Sequence, residues 1–141
     1  MNISAVSASD SEVLALIDKA ALPVEDINDK VELFAIRENE HVLGTIGMEH
    51  DDKVALLRSL NVDVKQRGKG YGDALVKFLE NVANDKGIQT IYLLTTTAEA
   101  FFSKQGYLVV CRNEVPQFIQ HTSEFSSVCP ASAIVMKKEL R

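Results

Sequence analysis

The stretch from residue 55 to residue 96 constrains the fold of this chain more than any other part of its sequence. It begins with the apolar run 55-ALLRSLNV-62, continues through the glycine-rich stretch 64-VKQRGKGYGDAL-75, and ends with a second apolar run, 90-TIYLLTT-96. After the glycines, the apolar residues take the period of a helix, and four of them share one helical face: Leu75, Phe78, Leu79 and Val82. A strand, a helix ending at Gly87 and a strand predict a right-handed crossover between two parallel strands.

The residues before this crossover also show the apolar patterns of strands and helices. We expect a short strand over residues 3–7 and a helix over residues 9–22, where Ser9 and Glu12 have the spacing of a capping box. A second short helix is predicted over residues 24–31, with the sequence VEDINDKV.

Strands dominate the middle of the chain and return at its end. Residues 33–64 contain three strand-like runs separated by the polar turns ENE and HDDK, which is typical of an antiparallel meander. The remaining predictions are a short helix over 98–106, a strand over 107–111, a helix beginning near Pro116 and a final strand over 132–138. The fold class is therefore α/β (α+β), with a sheet that changes from antiparallel to parallel.

Composition limits the size and the partners of this protein. With 141 residues the chain can build one substantial core but not two, so we predict a single domain over residues 1–141. A net charge of −5 argues against nucleic-acid partners, because phosphate neutralisation needs a basic surface. No apolar run approaches the ~20 residues that span a bilayer, and the N-terminal residues lack a basic start, so we expect a cytoplasmic protein without a membrane partner.

The glycine-rich stretch has the geometry of a phosphate site. Unpaired N–H groups in the first turn of a helix point at a ligand, and glycines let the backbone approach it closely. The spacing of a P-loop is absent, and a dinucleotide fingerprint fails because Asp73 or Leu75 stands where its third glycine is needed. What remains is the pattern R-x-x-G-x-G, formed by Arg67, Gly70 and Gly72.

This pattern resembles the acetyl-CoA signature of the GCN5-related N-acetyltransferase (GNAT) superfamily. The later stretch 98-AEAFFSKQGYLVV-110 is also similar to the short helix and strand that follow the cofactor unit in that superfamily. Within it, 93-LLTTTAE-99, 113-NEVP-116 and 129-CPASA-133 look like the arsenic-resistance N-acetyltransferase group, and a serine just before the last strand resembles that of amino-acid N-acetyltransferases. The resemblance implies a GNAT fold, a mixed central sheet of about six or seven strands flanked by helices.

The resemblance also implies acetyl-CoA as cofactor and gives it a binding site. The strand edge at residues 60–62 is implied to pair with the pantetheine amides, and the N–H groups from Gly68 to Asp73 are implied to hold the pyrophosphate. Arg67 and Lys69 suit the surrounding phosphate charge. The full set implied is Leu60, Asn61, Val62, Arg67, Gly68, Lys69, Gly70, Tyr71, Gly72 and Asp73.

The catalytic residues common in the superfamily do not carry over. Its usual proton-donating tyrosine falls on Phe102, and its usual glutamate base falls near Leu56. We expect instead that Ser132, which like Ser127 approaches the last strand, relays a proton to the leaving thiolate.

Candidates for the base are Glu99, Glu49 and His121, although an amine of lowered pKa could also lose its proton to water. Hydrogen bonds from residues 95–97, or a clamp by Arg58 or Arg112, would suit an acceptor's carboxylate.

The sequence therefore predicts an enzyme that moves acetyl from acetyl-CoA to the amine of a small, amino-acid-like acceptor by direct transfer in a ternary complex. Two alternatives stay open, an N-acetyltransferase of proteins or peptides and a non-catalytic acyl-CoA sensor. No metal is expected, because Cys111 and Cys129 lack metal-binding spacing and no HExxH occurs. Since GNAT domains often pair, a homodimer is a further expectation.

Overall fold

Seven strands form one mixed sheet in the computed structural model, which describes residues 2–125 and 132–140. The order across the sheet is β1-β2-β3-β4-β5-β7-β6. The strands are β1 (Asn2–Val6), β2 (Glu32–Glu38), β3 (His41–His50), β4 (Val54–Val62), β5 (Thr90–Thr95), β6 (Leu108–Val110) and β7 (Ile134–Glu139). The predicted α/β fold with a sheet of six or seven strands is confirmed.

Four α-helices connect the strands: α1 (Ser11–Lys19), α2 (Tyr71–Asp85), α3 (Glu99–Lys104) and α4 (Gln117–Gln120). The predicted capping box of α1 is wrong, because Asp10 is the N-cap and its Oδ1 accepts the N–H groups of Glu12 and Val13 at 3.1 Å. Glu12 instead accepts the N–H of Val42 on β3. The first turn of α1 is thereby fastened to the sheet.

The antiparallel meander and the parallel crossover are both confirmed. β2, β3 and β4 pair antiparallel, and β4 pairs parallel with β5. The helix predicted over residues 24–31 is wrong, since these residues form turns. The spacing of Val24, Ile27 and Val31 looked helical, but these side chains pack as an irregular segment against the apolar face of α1.

Helices cover both faces of the sheet. On one face α2 packs against alternate strand residues such as Ile36, Leu57 and Leu93. On the other face α1 covers Leu33 and neighbours, while α4 covers a group around Leu56. Alternating strand residues therefore belong to opposite cores, as the pleat of a strand requires.

The sheet is split at its centre. The ladder between β4 and β5 contains three residue pairs and ends at the pair of Leu56 and Tyr92. Just beyond, β4 carries a bulge, where two steps along β3 match three along β4, and Ser59 has a φ of +59°. Bulges bend and twist a strand, and this one lies where β4 leaves β5.

Among the described residues, no helix is both long and apolar enough to cross a membrane.

Candidate functional site

A groove of about 600 Å³ lies along the free edge of β4 and the start of α2. Its walls come from the end of β4, the glycine-rich loop and α3. The lining residues are Leu60, Asn61, Val62, Gln66, Arg67, Gly68, Gly70, Tyr71, Gly72, Asp73, Ala98 and Phe101. Nine of the ten residues implied to bind acetyl-CoA line this groove, and the tenth, Lys69, is exposed with its Nζ bonded to Gln66.

The glycine-rich loop is shaped by left-handed backbone. Gly68 and Gly70 have φ values of +83° and +84°, a region that is costly for residues with a Cβ atom. No heavy atom lies within 4 Å of where a Cβ would stand on either residue. The two glycines therefore leave open space in front of the loop.

The start of α2 presents N–H groups to this space. Gly70 is the N-cap and supplies no side-chain cap, and Ala74 is the first residue whose N–H bonds back to it. Within the described part of the chain, no hydrogen bond engages the N–H groups of residues 68–70. A helix start with such donors and a favourable dipole suits a bound pyrophosphate. The loop therefore fits the phosphates of coenzyme A.

Arg67 adds a positive charge at the groove. Its Nε donates to the carbonyl of Val62 at 3.3 Å, which holds the guanidinium close to the end of β4. Asp73 accepts a hydrogen bond from Gln105 beyond the end of α3, so the first turn of α2 is tied to the region that closes the groove.

A second, partly enclosed cavity of about 240 Å³ lies inside the split of the sheet. It shares two wall residues with the groove, Leu60 and Ala98. The cavity is lined by Ala21, Leu22, Pro23, Leu57, Arg58, Ser59, Leu60, Leu93, Leu94, Thr95, Thr96, Thr97, Ala98, Phe102, Glu124 and Ala133. Phe102 lies on the side of α2 and α3, whereas Glu124 lies on the opposite side, so the cavity passes through the sheet.

Arg58 is the cation of this cavity, and it is already paired. Its Nη1 and Nη2 donate to the two carboxylate oxygens of Asp26 at 2.7 Å, and Nη1 also donates to Glu49 at 3.0 Å. Burial lowers the pKa of this guanidinium. The hydrogen bond to Asp26 and the charges of Glu124 and Asp26 together raise the pKa by more than burial lowers it, so the pKa lies above its ordinary value. Arg58 stays charged and is not free to clamp an acceptor's carboxylate.

Glu124 is the third carboxylate beside Arg58 and the one that lines the cavity. It is 4% exposed, and its Oε2 lies 3.5 Å from Arg58 Nε. The net pKa of Glu124 is raised to about 7: burial raises it most, the charge of Arg58 lowers it, and the charges of Asp26 and Glu49 raise it. Sequence reasoning missed this residue, because "SEF" matches no motif and its partners are at least 66 positions away in the chain.

Among the described residues, none of the catalytic candidates predicted from sequence lines the groove or the cavity. Glu99 is exposed in the first turn of α3, and Ser132 is exposed before β7. His121 is exposed after α4, and Glu49 lies behind Arg58. Ser127 and Cys129 fall outside the described residues. The roles of Glu99 and Ser132 stay predictions.

The structure also shows the surroundings of the residues proposed to bind the acceptor's carboxylate and of Cys111. Residues 95–97 line the cavity, and Thr95 Oγ1 accepts the N–H of Ala98 at 3.0 Å. Arg112 donates to the carbonyl of Ala133 at 2.7 Å and stacks over Phe125, which gives it a packing role. Cys111 is an exposed thiol.

The chain is similar to known proteins in sequence and in fold. A family model described as "Acetyltransferase (GNAT) family" matches residues 7–107. The uncharacterized N-acetyltransferase CT2212 of Chlorobaculum tepidum is 31% identical over 98 residues, which are 68% of this chain and 63% of that protein. The match thus spans less than two thirds of that relative's length.

Two solved structures illustrate the likeness of fold. Rv2747 from Mycobacterium tuberculosis, in complex with CoA and NLQ, gives a TM-score of 0.80 at 21% identity and full coverage of both chains. N-acetylglutamate synthase from Neisseria gonorrhoeae, complexed with coenzyme A and N-acetyl-glutamate, gives a TM-score of 0.80 at 15% identity. That match covers all of this chain and 36% of the synthase chain.

Proposed function

Since the chain belongs to the acetyltransferase (GNAT) family, we propose that it transfers the acetyl group of acetyl-CoA to the amine of a small acceptor. The observation that carries this proposal is the junction of the groove with the cavity at Leu60 and Ala98. Two ligands can occupy these spaces together and meet at that junction. This arrangement supports direct transfer in a ternary complex.

Coenzyme A is assigned to the groove by its chemistry. When bound, it supplies a thioester whose carbonyl carbon accepts an amine. The N–H groups of residues 68–73 would hold its pyrophosphate, and backbone groups at the edge of β4 from Leu60 to Val62 would pair with the pantetheine amides. Arg67 supplies charge for the phosphates. We propose these residues as the cofactor site.

The acceptor belongs in the cavity, whose size favours a small molecule. At about 240 Å³ and with walls from both halves of the sheet, it is just below the ~300 Å³ at which typical ligand pockets begin. We therefore propose a small amine over a protein or peptide.

An amino-acid-like acceptor is the finer part of this proposal. The hydroxyls of residues 95–97 can donate hydrogen bonds to a carboxylate from the cavity wall. Glu124 faces the same space with negative charge suited to an ammonium group. An amino acid could thus be held at both its ends, while Arg58 takes no part in binding its carboxylate.

An acceptor screen tests this function. Purified protein is mixed with acetyl-CoA and a panel in which each amino acid is paired with its decarboxylated amine, and thiol release is followed. We expect turnover with at least one amine, and higher kcat/KM for the amino acid of that pair. Binding of acetyl-CoA by calorimetry with no turnover on any amine would support a sensor instead.

The expected homodimer also stays a proposal. β6 is the edge strand of the sheet, and Leu108 and Val109 are 69% and 53% exposed there. Sedimentation of the wild type and of an L108E/V109E double variant would test pairing at this edge.

A further inference from the structure

We propose that Glu124 is the general base of the reaction and takes the proton from the acceptor's ammonium group inside the cavity. The inference rests on the proposed function, because it requires that acetyl transfer to an amine takes place in the split of the sheet. It concerns a residue outside the glycine-rich loop and outside every catalytic position that the sequence resemblance implied.

Glu124 is positioned to reach an acceptor in the cavity. The groove opens on the side of α2 and α3, where Phe101 and Ala98 form its wall. Glu124 lines the cavity from the opposite side of the sheet, beside Arg58. An acceptor that fills the cavity therefore has the thioester at one end and this carboxylate on its wall.

Glu124 differs from the other two carboxylates around Arg58 in its hydrogen bonds. Asp26 uses both oxygens in a bidentate pair with the guanidinium, and Glu49 accepts a hydrogen bond from Nη1. Neither of them lines the cavity. Within residues 2–125 and 132–140, Glu124 receives no hydrogen bond and has one charged contact, at 3.5 Å. It is the carboxylate with lone pairs available to a ligand.

The charges around Glu124 suit the task of a base. Arg58 on β4 carries one positive charge, and Asp26 before β2 and Glu49 on β3 carry two negative charges. Together with burial, they bring the pKa of Glu124 to about 7. A base works best when its pKa lies near the operating pH, since it is then both ionised and able to hold a proton.

In the proposed reaction, Glu124 removes the first of the two protons that the acceptor's nitrogen must lose. The Glu124 carboxylate takes one proton from the acceptor's ammonium, which frees the nitrogen lone pair. The nitrogen attacks the thioester carbonyl carbon, so a C–N bond forms and, when the tetrahedral intermediate collapses, the C–S bond breaks. The nitrogen loses its second proton and the thiolate sulfur gains one. Glu124 returns its proton to water, which leaves amide, free thiol and one released proton.

The experiment is a pH profile of kcat/KM with a primary alkylamine from the panel that the wild type acetylates, whose pKa is about 10. If Glu124 is the base and the ammonium form binds, kcat/KM should rise below about pH 7 and then level off, long before the amine itself titrates. A continuous rise to the pKa of the amine in the wild type would overturn the proposal, and this readout needs no variant.

Variants sharpen the test. E124Q keeps the shape of the side chain, so we expect unchanged affinity for coenzyme A by calorimetry, a kcat lowered about 10²- to 10⁴-fold, and loss of the break near pH 7. E49Q is the matched control, because it also removes a carboxylate from Arg58. Its kcat should change little, and the break should move to lower pH. E99Q tests the rival base on α3, and a larger fall of kcat in E99Q than in E124Q would overturn the role of Glu124.

The outcomes separate this inference from the proposed function. An E124Q variant as active as an active wild type would overturn the role of Glu124 and leave the acetyltransferase standing. A wild type that binds coenzyme A and acetylates no amine would overturn the proposed function, and the role of Glu124 with it. If E124Q failed to fold, the wild-type profile would still decide, and E124D should show the same break with a reduced kcat.

Discussion

Gly72 in the first turn of α2 faces the ring of Phe101 on α3, and a Cβ atom on this glycine would lie 3.3 Å from Phe101 Cζ. This distance is tighter than an ordinary contact. The two helices thus approach at a position that has little room beyond a hydrogen atom, and the groove is closed by that approach.

The first prediction follows from this contact. Gly72→Ala should destabilise the protein by about 1 kcal/mol through overpacking, although alanine is the better helix former. Phe101→Leu alone removes part of the ring, and the double variant should be more stable than the sum of both effects predicts. Urea denaturation of the four proteins measures the coupling. Strict additivity would show that the two residues do not press on each other.

The second prediction separates the shape of the glycine-rich loop from backbone strain. Gly70→Val should cost about 1–2 kcal/mol of stability from the left-handed φ and should weaken coenzyme A binding at least tenfold, because the side chain enters the space before the helix. Gly87→Val is the control, since Gly87 has a φ of +83° and no heavy atom within 4 Å of where its Cβ would stand. It lies at the other end of α2.

Calorimetric titration with coenzyme A decides this prediction. We expect equal loss of stability in the two variants and loss of affinity in Gly70→Val alone. If Gly70→Val bound coenzyme A with wild-type affinity, the assignment of the loop to the cofactor would be wrong.

The third prediction concerns stability against pH. Glu124 has its pKa raised from 4.5 to about 7 in the folded protein, so the folded state holds a proton that the unfolded chain releases. The contribution to stability is complete below about pH 4.5 and is lost as the pH rises through 7, which amounts to about 3 kcal/mol. Urea unfolding at pH 5 and pH 8 should show this fall in the wild type. E124Q should remove most of it.

The fourth prediction concerns the buried cation. Arg58→Met should destabilise the protein by about 3–5 kcal/mol at pH 8, because three carboxylates lose their shared partner. The loss should shrink at pH 5, where Glu124 is protonated. Arg37→Met is the control: Arg37 also contacts two carboxylates, Asp10 and Glu12, but its side chain is 33% exposed. A loss of about 1 kcal/mol or less is expected there.

The fifth prediction tests whether another hydroxyl serves as the acid. Tyr107 donates to Glu80 at 3.0 Å, and burial together with the charge of Glu80 raises its pKa. Glu80 also holds Lys138. Tyr107→Phe should lower stability by about 1 kcal/mol and leave kcat unchanged, because the hydroxyl points to α2 and lines neither cavity nor groove. A tenfold fall of kcat would make Tyr107 the proton donor.

The crossover was predictable because local signals agreed with the tertiary structure. The apolar runs at residues 55–62 and 90–96, the glycines between them and the helical face of α2 all point to one arrangement. The prediction of a helix over residues 24–31 was wrong for the opposite reason. Its apolar spacing suits a helix, but tertiary packing against α1 takes those side chains without helical backbone.

The cofactor groove could be predicted from local sequence, whereas the cavity could not. The groove is built largely by consecutive residues, so its loop could be located from spacing alone. The cavity is built by residues 58, 95–97 and 124, which the sheet brings together from three distant segments. Nothing local to Glu124 signals its neighbours, and the bidentate pairing of Arg58 with Asp26, 32 positions earlier in the chain, has no local signal either.

The short ladder between β4 and β5 has a consequence for the tendency of the protein to aggregate. Past Leu56 and Tyr92, each strand has a backbone edge facing the gap. Exposed edges of this kind invite pairing with other chains and aggregation. Here the two edges are turned inward and are screened by α3 and by the segment around Pro23. The protein thus keeps the pairing capacity of an edge strand in a split at the centre of its sheet and not at the rim.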